Sequence, residues 1–147
     1  MSFKKFCAIE NHGRAKKMNI WYEMITEQMV LQKTCMSAEM LVYLSQVLYR
    51  HQNNQALVEI KPFTEMIKMS SRSASINEFQ HLGELCLVAS GLKLRSQLSC
   101  FNQVGQGCFA QLVKQSSHQD MVDLVYRPIL EDYNGYLKFM NGLLRVM

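Results

Sequence analysis

Residues 75–92 read SINEFQHLGELCLVASGL, and what this stretch becomes decides the fold. Ser75 with Glu78 three positions on spells a capping box: the serine hydroxyl takes the N3 amide and the glutamate reaches back to the cap amide. Behind that start, Phe79, Leu82, Cys86 and Ala89 recur at helical spacing. Leu85, Leu87 and Val88 then widen the stripe until the helix is apolar nearly all round. Such a helix belongs at the centre of a bundle. Gly83 lets a neighbouring helix come close, and Gly91 is a natural C′ residue to end the run.

The flanking segments carry the same period. Met18, Trp21, Tyr22, Ile25, Met29 and Val30 form one stripe of a helix from Arg14 to about Lys33. Ser37 is a good N-cap for a second helix, with Met40, Leu41, Leu44, Val47 and Leu48 inward, fading at RHQNNQ (50–55). Leu57, Val58 and Ile60 suggest a short extended piece, and Pro62 suits the first turn of a third helix ending near Met69. SSRSAS (70–75) is the clearest loop. A fifth helix runs from about Leu98 to Gln115 with Phe101, Val104, Cys108, Phe109 and Leu112 inward. Gly105 and Gly107 lie inside it at up to roughly 1 kcal/mol each against alanine, so close packing must hold them, and Gly105 is expected to face the central helix near Gly83. Ser117 and Asp120 cap the last helix, whose face is Leu130, Tyr133, Leu137, Met140 and Leu144. Pro128 predicts a kink or break near Tyr126–Arg127. The expectation is an all-α, single-domain bundle of about six helices over residues 1–147, with 1–13 as a basic arm.

Composition agrees. A chain of 147 residues, 48% hydrophobic, with 7 Gly and 2 Pro, suits one core of helices better than a many-turned sandwich. The uncharged run of the central helix, Leu85–Leu92, falls far short of the ~20 residues of a membrane span. No leader pattern opens the chain, and no membrane association is expected. Five cysteines, none at C-x-x-C spacing, read as small buried thiols in a reducing compartment, which points to the cytoplasm. The whole formal excess of +4 sits in the first 17 residues, where Lys4, Lys5, Arg14, Lys16 and Lys17 face only Glu10. These are the candidate contacts for nucleic acid or another anionic partner.

Few patterns carry chemistry. Glu78-x-x-His81, extended by Glu84, has the spacing of carboxylate-bridged di-metal bundles, but that chemistry needs two such motifs and two further glutamates. One copy occurs here, so Glu78 reads as a cap with His81 and Glu84 on the polar edge of the helix. No cysteine is marked as activated, since Cys86 and Cys108 fall on core faces. GQG (105–107) lacks the Lys-Ser/Thr of a phosphate loop, and there is no G-x-S-x-G. No enzyme and no cofactor are expected. Met24, Met29, Met36, Met40, Met66 and Met69 either fill gaps or form an adaptable partner surface. With the apolar girth of the central helix, they favour a homodimeric binding protein.

HLGELCLVASGL (81–92) and FNQVGQGCFAQL (101–112) also resemble, in that order, two patterns of a family of uncharacterised bacterial all-helical proteins. That family shares segments similar to SAEMLVYLSQVLYRH and ILEDYNGYLKFMNGLL, so the resemblance spans roughly Ser37 to Leu144. Gly83, Glu84, Ser90, Gly91, Gly105 and Cys108 fall on its patterned positions. Here Glu84 replaces the more usual aspartate, Cys108 a small residue, and Phe109 a tyrosine. The resemblance implies one helical domain and carries no activity.

Overall fold

The computed structural model describes residues 14–59, 61–70, 73–92 and 98–145. The chain is all-α: α1 (Arg14–Gln32), α2 (Ala38–His51), α3 (Ala56–Glu59), α4 (Pro62–Ser70), α5 (Ile76–Leu92), α6 (Leu98–Gln115), α7 (Gln119–Met121), a π-helical turn (Val122–Tyr126), α8 (Arg127–Glu131) and α9 (Tyr133–Arg145). The central helix is α5, and it touches α2, α3, α4, α6 and α9. Every residue from Leu82 to Leu92 is buried, so its apolar girth is satisfied within the chain. Its start follows the capping logic, with Ser75 Oγ accepting from the Glu78 N–H at 3.3 Å.

Gly91 does not end α5. The helix continues to Leu92, and no described glycine has a positive φ. A Cβ at Gly91 would lie 3.0 Å from Met140 Cβ and 3.2 Å from Leu144, so this glycine permits close approach of α9. Nor do Gly83 and Gly105 face each other. Gly83 faces Cys108 Cβ (3.1 Å) and Phe109 (3.3 Å), while Gly105 faces Cys86 Cβ (3.2 Å) and Tyr133. Helices α5 and α6 meet through two reciprocal glycine–cysteine contacts, each glycine set against the Cβ of the partner helix's cysteine.

Residues 56–59 are a helical turn rather than an extended piece. Asn54 decides this, because its Oδ1 accepts the Ala56 N–H at 3.0 Å and its carbonyl accepts from Leu57. At the other end of the chain, α7 begins at His118 without a side-chain cap, and Ser116 rather than Ser117 accepts the His118 N–H at 3.2 Å. The disruption around Pro128 takes two forms. Just before it, the Arg127 N–H reaches back five residues to the Val122 carbonyl, widening the turn where the proline ring would otherwise crowd the preceding one. The helix breaks outright at Asp132 (φ −129°, ψ 49°).

Helix α1 is anchored by Trp21, fully buried, whose Nε1 donates to Gln52 Oε1 at 2.9 Å. Of the six methionines weighed as a partner surface, Met40 and Met69 are buried and Met24, Met29, Met36 and Met66 pack partly buried against the core. Helix α1 ends in a Schellman motif: Thr34 N–H bonds to Met29 O (2.9 Å) and Lys33 N–H to Val30 O (3.3 Å). The C′ residue, Lys33, sits at φ 52°, where a side chain costs about 1 kcal/mol and glycine little. Lys33→Gly is therefore expected to raise the unfolding free energy by up to about 1 kcal/mol, read as a higher urea midpoint. A lower midpoint would mean the motif does not limit this end of the helix.

Candidate functional site

Glu84 lies on the central helix in an otherwise apolar turn, and it is 1% exposed. A carboxylate there must be matched by donors, since an unmatched buried charge costs several kcal/mol. Helix α2 supplies them from Tyr43, Arg50 and His51, two turns apart on one face. Glu84 Oε1 accepts from His51 Nε2 at 2.9 Å and Arg50 Nε at 3.2 Å. Its Oε2 accepts from Tyr43 Oη at 2.8 Å, Arg50 Nη2 at 2.8 Å and Gln80 Nε2 at 3.0 Å. Asn54 fixes the imidazole from behind: with its Oδ1 committed to Ala56, its Nδ2 faces His51 Nδ1 at 3.3 Å. That assigns the ring hydrogen to Nε2, pointing at Glu84. Tyr126 of the π turn stacks edge-on against Tyr43 (6.0 Å, 85°) and leans on Phe109 (6.4 Å).

Burial alone would push Glu84 up. The hydrogen bonds from His51 and Arg50, with the Arg50 charge, outweigh it and hold the carboxyl below its ordinary value. Tyr43 is raised well above its usual value by burial and by the adjacent Glu84 charge, so it stays a proton donor. With both oxygens occupied and no exposed edge, this carboxylate cross-links α2 to α5. The buried thiols are equally unsuited to catalysis: desolvation pushes Cys108 up to about 12 and Cys86 higher still.

The sequence motif splits here. Each step of three residues turns about 60° back around a helix, so Glu84 points roughly 120° from Glu78. Glu84 faces inward toward α2, not along a polar edge, because only there do donors meet it. Glu78 and His81 instead line an open cleft of about 940 Å³ bounded by α3, α4 and α5. Met69, Leu82 and Leu85 give it an apolar floor, and Glu59, Glu78 and His81 are polar groups in its lining. The His81 ring centroid is 5.4 Å from that of His51. Partial burial and His51 lower its pKa, against the pull of Glu84. Among the described residues no group of three His, Cys, Asp or Glu side chains could hold a metal ion.

Tyr43, Arg50, His51 and Gln80 were not singled out by the sequence reading. The signal that could have found them is Glu84 itself, a lone charge in an apolar turn that requires a partner of opposite sign. Lys4 and Lys5 lie outside the described residues, as do the side chains of Arg14, Lys16 and Lys17 at the start of α1. No described helix is long and apolar enough to cross a membrane.

Fold and site together define an all-α protein with an internally matched buried carboxylate beside an open, amphipathic cleft. Comparison with protein-family models, curated proteins and solved structures finds no match to this chain.

Proposed function

We propose that this protein is a non-enzymatic binding module whose working surface is the cleft beside Glu78 and His81. The observation that carries this reading is the cleft itself. Its volume of about 940 Å³ is that of a small-molecule site, and an apolar floor with a few polar groups beside it is how such sites are built. The raised pKa of the buried Cys86 and Cys108 thiols, and the full occupation of Glu84, favour binding over turnover. Thr64, exposed on the cleft wall, offers a way to block it without touching the core. In a ligand-observed NMR fragment screen, fragments are expected to bind the wild type, shift the amides of residues 76–85, and fail to bind Thr64→Trp. Binding that survives Thr64→Trp, or none at all, would overturn the reading.

Self-association is a second reading, favoured by Val30 and Leu31 on α1, which are 75% and 68% exposed. Sedimentation at micromolar concentration is expected to give a mass above 17.0 kDa, and a single species at that mass removes it.

A further inference from the structure

We propose that the cleft continues past α4 and takes a single unbranched hydrocarbon chain, the tail of a free long-chain amphiphile; this rests on the cleft being the binding surface at all. A second cavity of about 460 Å³ lies between α4 and α6. Met69 of α4 borders both spaces. On α5, Leu82 lines the cleft and Phe79, one turn earlier, lines the smaller cavity, so the apolar floor runs from one into the other.

Gly107 of α6 is the independent observation. A glycine inside a helix is unfavourable relative to alanine, and no close packing explains this one. Gly83, Gly91 and Gly105 each face a close neighbour, but among the described residues a Cβ at Gly107 would meet only Met66 Cε, at 3.4 Å, an ordinary contact. What the missing side chain leaves is open space in the smaller cavity, whose wall Gly107 forms. The partition between the two spaces is itself adaptable. A methionine side chain is unbranched with three rotatable bonds, so Met69 turns aside at little cost. The passage it vacates has the width of one such chain, which admits an unbranched tail and rejects a ring or a branched body. The head group of the amphiphile stays at the open mouth of the cleft, in water, while the tail gains the enclosed apolar floor.

Neutral alcohols of increasing length test this: hexanol, octanol, decanol and dodecanol, each titrated below its solubility limit and followed by amide shifts. A methylene buried in enclosed apolar space tightens binding about fourfold, so affinity is expected to keep rising through dodecanol. The Gly107 amide should shift with dodecanol and not with hexanol. Gly107→Leu fills the smaller cavity with a good helix former, and it should halt the rise at the shorter alcohols while hexanol binds as to the wild type. Gly107→Ala adds one methyl where there is room for it and should keep the full rise, which separates a filled cavity from a stiffer helix. An affinity that levels off at hexanol in the wild type, or a series unchanged in Gly107→Leu, overturns the continuation and leaves the cleft as a binding surface. If no alcohol binds, the chain assignment falls, and the cleft stands or falls with the fragments and Thr64→Trp.

Discussion

Glu84→Leu is expected to lower the unfolding free energy by about 3–5 kcal/mol, the cost of removing one partner from a buried charged cluster. The substitution strands Tyr43, Arg50, His51 and Gln80, whose hydrogen bonds all converge on that carboxylate. Against a total of about 5–15 kcal/mol for a domain, this is a large share. Tyr43→Phe removes one bond to a charged acceptor and should cost about 1.5–3 kcal/mol. Replacing the carboxylate together with Arg50 and His51, as Glu84→Leu with Arg50→Met and His51→Leu, should recover much of the loss, because an apolar contact carries no charge-desolvation penalty. The pH dependence has a definite sign. Glu84 is held below its ordinary value of 4.5, so its contribution is complete above that value and is lost as pH falls through the lower, folded one. Urea midpoints at neutral pH and at about pH 3 should therefore converge between wild type and Glu84→Leu as acid is added. A Glu84→Leu variant within about 1 kcal/mol of wild type at neutral pH would show that the donors do not depend on the carboxylate.

What the sequence made legible was local. Ser75 and Ser37 announced their helices because a cap bond closes within one turn, and the girth of α5 was visible because its apolar residues crowd a short window. What stayed hidden depended on residues far along the chain. Gly91, near the end of an apolar helix, fits both a stop and a close approach, and only Met140 and Leu144 of α9 decide between them. Glu84 reads as an edge residue until α2 is laid beside it, 33 to 41 positions upstream. Even the turn at 56–59 followed this rule on a small scale, since the apolar residues suggested extension and the side chain of Asn54 closed a helical turn instead.

Gly105 brings both lessons to one position. Intrinsic propensity says that Gly105→Ala should gain up to about 1 kcal/mol in a helix interior. The tertiary environment says otherwise. An added methyl would overlap the Tyr133 hydroxyl and lie 2.9 Å from its Cζ and 3.2 Å from Cys86 Cβ. Tyr133 is 3% exposed with its ring 6.3 Å from Phe109, so it has no open space to swing into. Overpacking of this kind costs about 1–3 kcal/mol, so Gly105→Ala is expected to be net destabilising and Gly105→Leu more so. Tyr133 also identifies the cause. Its buried hydroxyl makes no hydrogen bond, so Tyr133→Phe should be neutral or stabilising, which is unusual for a buried residue. Gly105→Ala placed in the Tyr133→Phe background should then cost less than in the wild type, because the atom it overlaps is gone. Urea denaturation of the four proteins gives the coupling directly, expected at about 0.5–3 kcal/mol for side chains in contact. If the two changes simply add, the hydroxyl is not what occupies the space above Gly105, and the packing of α9 against α6 is different from the one described.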